Sequence, residues 1–331
     1  MKKLALITGV SGQDGAYLAK LLLDKNYKVV GTDRRSARSS NWRLKRLGIE
    51  NKIIFEEMEL SELYEIQRVF KKYKFHEVYH LAAQSFVKAS FNSPLNTSNI
   101  TGLGTLRILE TIRSNNPKIK FYQASSSEMY GGKSEEKLNE ESKFDPKSPY
   151  AAAKVFSHDL TKVYRESYGM FCANGILFNH ESPRRGLNFV TRKITIGIAK
   201  ILTKEINFLE LGNLSARRDW GFAGDYVEAI WNILQQDKPD DFVISTGENY
   251  SIEDFVREAF SIVGLDWKRF VKSNVSRYLR PSEVPSLLGD SSKAIKKLKW
   301  KPKVLFKDLC LMMVENDLKS FNLTLDEAKK I

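Results

Sequence analysis

A glycine-rich turn directly after the first apolar segment constrains the fold of this chain more than any other feature. Residues 4–7 have the composition of a buried strand, residues 8–15 (TGVSGQDG) follow it, and residues 16–23 have the apolar spacing of a helix. In dinucleotide-binding proteins the three glycines of such a turn allow the tight bend, the close approach of a pyrophosphate and the packing of helix on sheet. The helix amino end also favours phosphate charge. We therefore predict a dinucleotide site, with these roles falling on Gly9, Gly12 and Gly15.

Strand-like and helix-like segments alternate through the first half of the chain. Segments with strand composition recur at residues 28–31, 52–55, 77–81 and 120–123, and amphipathic helical segments lie at 62–70 and 101–114. This alternation predicts an α/β fold, a Rossmann doubly wound parallel sheet with helices on both faces. From about Asn179 the pattern loosens. We predict that residues 1–178 plus about 222–247 form the dinucleotide-binding domain, and that about 179–221 and 248–331 form a smaller α/β substrate-binding lobe.

The composition favours a globular protein outside the membrane. The 331 residues are 42% hydrophobic, which is enough for a sizeable core, and no apolar run approaches the roughly 20 residues of a membrane span. The basic start resembles a signal peptide, but it lacks a small-residue cleavage site. Cys172 and Cys310 have neither a metal-ligand spacing nor the pattern of a disulfide framework. We expect a cytoplasmic protein with no metal and no membrane contact.

The formal net charge of +13 raises the alternative of a nucleic-acid-binding module. The lysines are scattered, however, and no arginine-rich tail or recognisable nucleic-acid motif accompanies them. We expect no nucleic-acid partner; salt-sensitive retention on DNA or RNA would support the alternative. A cationic surface instead favours capture of an anionic diphosphate substrate.

The end of the second predicted strand bears on the choice between NAD and NADP. Asp33 could accept hydrogen bonds from the adenosine ribose hydroxyls and would repel a 2′-phosphate, whereas Arg34, Arg35 and Arg38 could neutralise that phosphate. We predict NADP. NAD remains the alternative because of Asp33.

Two further motifs suggest the chemistry. Tyr150 and Lys154 are four residues apart and therefore share one face of a helix. A free tyrosine has a pKa of about 10, and a neighbouring ammonium together with a positive nicotinamide would favour the phenolate. Residues 124–131 (ASSSEMYG) follow a predicted strand, and a hydroxyl there could contact a sugar oxygen; a helix-capping turn is the structural alternative. Glu128 is the informative residue, since one carboxyl can supply both the base and the acid of an elimination.

With these motifs the chain resembles the GDP-mannose 4,6-dehydratases, a family of extended short-chain dehydrogenases/reductases. The resemblance extends over almost the whole length. It rests on residues 8–22, 81–87 (LAAQSFV), 121–131, 148–154 (SPYAAAK), 164–169, 175–186 (GILFNHESPRRG), 189–193, 218–221 (RDWG), 280–284 (RPSEV) and 288–290.

The resemblance implies a hydro-lyase that acts on a GDP-manno-configured sugar, either GDP-mannose or GDP-D-glycero-D-manno-heptose. The C4 hydride would pass to the cofactor, water would leave across C5 and C6, and the hydride would return to C6, giving a 4-keto-6-deoxy sugar. In this reaction Tyr150 would take the O4 proton and Glu128 the C5 proton. Lys154 would tune Tyr150 and hold the nicotinamide ribose, and Ser126 would orient O4.

The same resemblance implies the binding residues. For the cofactor they are Gly9, Ser11, Gly12, Gln13, Asp14, Gly15, Asp33, Arg34, Arg35, Glu59, Leu60, Leu81, Ala82, Ala83, Tyr150, Lys154, His180 and Arg185. For the GDP-sugar they are Ser85, Ser126, Glu128, Asn179, Val190, Lys193, Leu211, Gly212, Arg218, Arg280 and Glu283. Within this set the two arginines would face the diphosphate and Glu283 the ribose. A homotetramer or dimer is also implied, with residues 35–41 reaching a neighbour's cofactor site.

Some positions depart from the family pattern. Ser126 stands where threonine is usual and keeps the hydroxyl, Glu59 replaces an aspartate at the adenine, and Asp33 replaces a neutral or basic residue. Ser127 occupies the place of an aspartate in dTDP-glucose dehydratases, which favours the GDP-mannose branch. The alternatives are another epimerase or reductase of the superfamily, which would not need Glu128, and a catalytically silent cofactor-binding protein.

Overall fold

The computed structural model describes residues 2–36, 41–132 and 136–330. The strands in this part of the chain are β1 (Leu4–Thr8), β2 (Lys28–Asp33), β3 (Ile54–Glu57), β4 (Glu77–His80), β5 (Lys120–Ser126), β6 (Cys172–Leu177), β7 (Asn179–Glu181), β8 (Leu209–Glu210), β9 (Arg217–Arg218), β10 (Trp220–Phe222), β11 (Asp241–Ile244), β12 (Tyr250–Ser251) and β13 (Val271–Lys272).

The helices alternate with these strands. They are α1 (Gln13–Asp24), α2 (Trp42–Arg46), α3 (Leu63–Lys72), α4 (Val87–Asn92), α5 (Pro94–Thr97), α6 (Gly104–Asn115), α7 (Pro149–Tyr168), α8 (Val190–Leu202), α9 (Ala223–Leu234), α10 (Ile252–Ile262), α11 (Ser292–Leu298), α12 (Phe306–Ser320) and α13 (Leu325–Ala328). A π-helical stretch, Ser98–Leu103, leads into α6, and a 3-10 turn, Ser127–Tyr130, follows β5. Within the described residues no helix has the length and apolarity that crossing a membrane requires.

Among the described residues, a seven-stranded parallel sheet has the order β11-β6-β5-β4-β1-β2-β3. Alternate residues of β1 pack on opposite faces, with Ala5 and Ile7 in the core beneath α1 and α9, and Leu6 in the core beneath α3 and α6. Burial on both faces explains why β1 is a continuous apolar run. After β3, at one edge of the sheet, the chain returns to form β4 beside β1 and then extends the sheet in the opposite direction. Ligands of such folds bind at this switch point between β1 and β4, at the carboxyl ends of the strands. The predicted doubly wound α/β fold is confirmed.

A second core lies outside the sheet and is built mainly from α8, α10 and α12. It buries large apolar side chains, among them Trp220, Phe255 and Met313. The loosened sequence pattern after Asn179 therefore conceals regular helices, with short strand pairs β7–β10, β8–β13 and β9–β12 between them. Ala294, which lies in α11, packs in the core of the sheet although its position falls in the range predicted for the second lobe.

Candidate active site

A cleft of about 720 Å³ follows the carboxyl edge of the sheet, between the glycine turn and the second core. It is lined by the residues predicted for the cofactor and for the GDP-sugar, with one exception: Arg35 is exposed and does not line the cleft. Arg38 lies outside the described residues. The structure thus brings together, in one space, positions that are separated by up to 274 residues in the sequence (Gly9 to Glu283).

The glycine turn at one end of the cleft has the geometry that a pyrophosphate requires. Gly9 has φ of +74°, and a Cβ there would lie 3.0 Å from the Cα of Ala82. A Cβ on Gly15 would lie 2.3 Å from the carbonyl oxygen of Gly9. Gly12, the residue before α1, offers no side-chain cap to the helix, so N–H groups of the first turn stay available for an anion. These residues fit a dinucleotide.

Charged groups of both signs flank the glycine turn where the adenosine of such a cofactor would lie. The Asp33 carboxylate accepts a hydrogen bond from the Ser11 N–H at 2.9 Å. Burial raises the pKa of Asp33, although the Ser11 hydrogen bond and two arginines oppose the rise. Arg43 donates to the carbonyl oxygens of Ser11 at 3.0 Å and Arg184 at 2.6 Å, and stacks on Trp42. No sequence motif marks Arg43, which is why the sequence alone did not predict it as a site residue.

An ion pair connects the glycine turn to β7. His180 donates from Nε2 to Asp14 Oδ2 at 2.9 Å and from Nδ1 to the carbonyl oxygen of Phe178 at 2.7 Å. A carbonyl oxygen and an ionised carboxylate both accept hydrogen bonds, so these two contacts fit a ring that is protonated on both nitrogens. Burial acts to lower the pKa of His180, but Asp14 outweighs it and the pKa is raised. Burial acts to raise the pKa of Asp14, but His180 and Arg185 outweigh it and lower the pKa to about 2.

The predicted tyrosine and lysine lie in the first two turns of α7, which begins after Ser148. The Ser148 hydroxyl accepts from the Ala151 N–H at 3.1 Å and so caps the helix. Lys154 Nζ donates to the carbonyl oxygen of Ala124 at 2.6 Å and lies 5.8 Å from the Tyr150 ring centroid. The two side chains therefore share a helix face, as the spacing predicts.

The pKa values of this pair depend mainly on burial. The pKa of Tyr150 is raised to about 12, mainly by burial, with Glu128 and Asp14 acting in the same direction and a hydrogen bond with Ser126 and the charge of Arg185 opposing the rise. Burial lowers the pKa of Lys154 to about 8. The protein groups by themselves thus disfavour the phenolate.

Glu128 follows β5 and points toward a cluster of charged residues. Its N–H donates to the Ser126 hydroxyl at 3.3 Å, and its carboxylate Oε1 lies 3.2 Å from Arg280 Nη1 and 4.0 Å from Arg218 Nη2. Arg218 Nη2 also lies 3.5 Å from Glu283 Oε1. Four predicted substrate residues from three distant parts of the sequence therefore form one charged cluster.

The opposite wall of the cleft contains a lysine and an aromatic ring. Lys193 Nζ donates to the carbonyl oxygen of Glu210 at 2.6 Å and lies 3.0 Å from the ring centroid of Tyr278. Burial, together with the charges of Arg277 and Lys88, lowers the pKa of Lys193 to about 8. Tyr278 and Lys88 also line the cleft but were not predicted, since neither belongs to a motif readable from one sequence. The predicted positions Ser85, Asn179, Val190, Leu211 and Gly212 line the same space.

Comparison with known proteins identifies the family. A family model described as GDP-mannose 4,6 dehydratase matches residues 6–313. The chain belongs to the GDP-mannose 4,6-dehydratase family. One relative, GDP-mannose 4,6 dehydratase 1 of Arabidopsis thaliana, is 48% identical over 327 residues, which cover 96% of this chain and 90% of the relative.

Solved structures of other enzymes share the fold of this chain. The dTDP-glucose 4,6-dehydratase DesIV of Streptomyces venezuelae, solved with NAD and TYD, has a TM-score of 0.85 at 19% identity, with 96% of this chain and 98% of that chain covered. RMD of Pseudomonas aeruginosa, complexed with NADPH, has a TM-score of 0.79 at 20% identity, with 96% and 100% covered. At these identities the similarity supports the α/β fold.

Proposed function

We propose that this chain is a hydro-lyase that removes water from GDP-mannose and forms the GDP-4-keto-6-deoxy sugar with the help of a nicotinamide cofactor. The observation that supports it most is the position of Glu128. Its carboxylate lies in the same cleft as the buried Tyr150–Lys154 pair and contacts two arginines suited to a diphosphate. Family membership over residues 6–313 supports the same reaction.

Each catalytic side chain has one task in this proposal. Tyr150 accepts the proton of the sugar O4, and Ser126 orients O4 through its hydroxyl. A nicotinamide cofactor held by the glycine turn and Lys154 would supply the hydride acceptor for C4 and the hydride donor for C6. The resulting 4-ketone acidifies C5, Glu128 removes the C5 proton, and the same carboxyl then donates that proton to the departing C6 hydroxyl. As the hydride returns to C6, C5 regains one proton, which is balanced by the O4 proton that Tyr150 took and now gives up. The net change is therefore the loss of one water from the sugar.

Binding of the GDP portion would use the remaining residues of the cleft. Arg218 and Arg280 suit a diphosphate, since guanidinium groups bind phosphate oxygens through charge-assisted hydrogen bonds. Glu283 would accept from the ribose hydroxyls, and Lys193 would lie along the nucleotide with Asn179, Val190, Leu211 and Gly212. These residues come from the two ranges predicted as a substrate lobe, and the division into two domains is part of this proposal.

NADP is the proposed cofactor. Asp33 already accepts a hydrogen bond from the Ser11 N–H, and Arg34 and Arg43 line the same part of the cleft, where they can neutralise a 2′-phosphate. The family relation supports a nicotinamide cofactor, and the superfamily structures contain NAD in one case and NADPH in another. Equilibrium binding of NADP and NAD to the purified protein, expected to favour NADP, tests this choice.

A homotetramer or dimer is the proposed assembly. Exposed apolar side chains lie on α5, on the π-helical stretch and on α7, namely Leu95, Leu103, Phe156 and Val163, and an exposed apolar surface of this kind is typical of an interface. Residues 37–40, the central part of the loop predicted to reach a neighbour, lie outside the described residues. Light scattering of the purified protein measures the assembly mass.

The decisive experiment is turnover followed by mass spectrometry. GDP-mannose should lose one water without added reductant. GDP-manno-heptose is assayed beside it, and comparison of the two turnover rates decides which sugar is preferred. An epimerase would leave the mass unchanged, and a reductase would consume NADPH stoichiometrically.

Glu128→Gln tests the proposed acid and base. We expect it to lower the rate by about 10²–10⁴, the usual contribution of a general acid–base group, while cofactor binding is kept. Glu141→Gln, a matched change at an exposed residue, should retain the wild-type rate. Full activity of Glu128→Gln would remove Glu128 from the reaction.

A further inference from the structure

The charged cluster around Glu128 is balanced before any phosphate is added. It contains two guanidinium groups, Arg218 and Arg280, and two carboxylates, Glu128 and Glu283, and the three ion-pair distances that join them are 3.2, 3.5 and 4.0 Å. A substrate diphosphate brings two further negative charges to the same arginines. Two guanidinium groups would then face four negative charges, so contacts with the diphosphate compete with the existing contacts to the carboxylates.

The two arginines differ in how firmly they are held. Arg218 is 6% exposed, and its Nη1 donates to the carbonyl oxygens of Val284 at 2.8 Å and Arg217 at 2.9 Å. These backbone acceptors fix its guanidinium. Arg280 is 28% exposed, and its Nη1 donates to the Glu128 carboxylate. Arg280 is therefore the arginine that can change partner at the lower cost.

A carboxylate held by a guanidinium is a poor base. One carboxylate oxygen of Glu128, Oε1, is directed at Arg280, and a positive charge beside a carboxylate stabilises the ionised form that a base has to give up. A diphosphate competes well for a guanidinium, because its two phosphates carry two negative charges in total and their oxygens match the planar donors. The contact of Arg280 with Glu128 and a contact of Arg280 with a diphosphate are thus alternatives.

We propose that Arg280 exchanges partners during each turnover, leaving the Glu128 carboxylate for the diphosphate of the bound nucleotide sugar and thereby freeing Glu128 to act at C5 and C6. This inference rests on the proposed function and adds a condition to it. The diphosphate not only holds the sugar but also activates the catalytic carboxyl. Arg280 accordingly contacts Glu128 in the protein alone and leaves Glu128 when a nucleotide diphosphate sugar binds.

A double-mutant cycle on substrate binding tests the exchange. All proteins carry Tyr150→Phe, so that GDP-mannose is bound and not consumed, and all are saturated with oxidised cofactor. GDP-mannose affinity is measured by titration calorimetry in this parent, with Glu128→Gln, with Arg280→Gln, and with both. In the parent, Glu128 competes with the diphosphate for Arg280, so Glu128→Gln should tighten binding by about fivefold. In the Arg280→Gln background the gain should vanish.

Simple repulsion between Glu128 and the phosphates gives a different pattern. Repulsion predicts that Glu128→Gln increases GDP-mannose affinity equally in the parent and in the Arg280→Gln background. An equal increase in both, or no increase in the parent, would overturn the exchange. Arg280→Lys keeps the charge but loses the planar donors. In this background the affinity increase from Glu128→Gln should be smaller than in the parent and larger than in Arg280→Gln. This variant replaces Arg280→Gln in the cycle if Arg280→Gln binds GDP-mannose too weakly to measure. Glu57→Gln, on the exposed edge strand β3 four positions from β5 in the sheet, controls for the loss of one negative charge and should leave the affinity unchanged.

The outcome separates the exchange from the proposed function. Wild-type protein is assayed in parallel for loss of water from GDP-mannose. Turnover by the wild type with an unchanged gain across the cycle would overturn the exchange alone. Failure of both turnover and GDP-mannose binding would overturn the proposed function and the exchange together.

Discussion

A buried ion pair behind the active site provides a quantitative test of the structure. Asp317 is fully buried, and its carboxylate lies 2.7 Å from Arg192 Nη2 and 2.8 Å from Arg192 Nε. It also accepts hydrogen bonds from the hydroxyl of Thr195 at 2.5 Å and the amide of Asn316 at 3.0 Å. The same guanidinium donates to the carbonyl oxygens of Pro183 and Arg185, both at 2.9 Å. The pair therefore joins α12 and α8 to the segment that carries Arg185 into the cleft.

Asp317→Asn keeps the shape of the side chain and removes its charge. The Arg192 guanidinium, 5% exposed, is then left without a counter-ion, and breaking a buried pair in this way costs about 3–5 kcal/mol. For a chain of this size a loss of 1 kcal/mol lowers Tm by about 2 °C, so we expect Tm to fall by roughly 6–10 °C. Cofactor affinity should also fall, because the Arg185 segment loses one of its anchors.

Urea unfolding and thermal melts of the purified protein measure this change. Asp308→Asn, in the exposed first turn of the same helix, is the matched control and should cost only about 0.3–1 kcal/mol. Replacing both partners, with Arg192→Met and Asp317→Leu, should recover part of the loss, since no buried charge remains although the partners of the pair lose their hydrogen bonds. If Asp317→Asn behaved like the control, the proposed energetic role of the pair would be wrong.

Two further predictions concern the glycine turn and its link to β7. Gly15→Ala places a Cβ 2.3 Å from the Gly9 carbonyl oxygen and should weaken NADP binding by at least about tenfold, measured by fluorescence titration; unchanged affinity would contradict the close packing of α1 on the turn. His180→Asn removes the ion pair with Asp14. A lowered Asp14 pKa stabilises the fold above pH 3.8 and loses its effect as pH falls toward 2, whereas a raised His180 pKa stabilises it below pH 6.5 and loses its effect as pH rises through the raised value. The wild type should therefore exceed His180→Asn in free energy of unfolding most between pH 3.8 and 6.5, and the difference should shrink above pH 6.5. Urea unfolding at pH 5.5 and 8.5 measures this difference. The same difference at both pH values would contradict the charged pair.

Local patterns gave the first half of the fold almost completely. The segments predicted at residues 62–70 and 101–114 are helical, and the predicted strands begin within two residues of the observed ones. The third strand begins at Ile54, two residues late, because Glu50–Lys52 form a 3-10 turn. The fifth strand continues to Ser126, three residues beyond its predicted end. The second half was less readable. Its helices α8, α10 and α12 pack against one another in a core of their own, and their charged outer faces dilute the apolar signal.

The sequence by itself determined the parts of this protein that depend on neighbouring residues. The glycine turn, the Tyr150–Lys154 spacing and the alternating strands and helices are local, because backbone geometry and side-chain periodicity act over a few positions. Only the tertiary structure decided the charge relations: that burial raises the pKa of Tyr150 to about 12, that Arg280 contacts Glu128 across 152 positions, and that Arg43 lies beside Ser11. Desolvation and Coulomb interactions depend on distance through space, which no local pattern specifies.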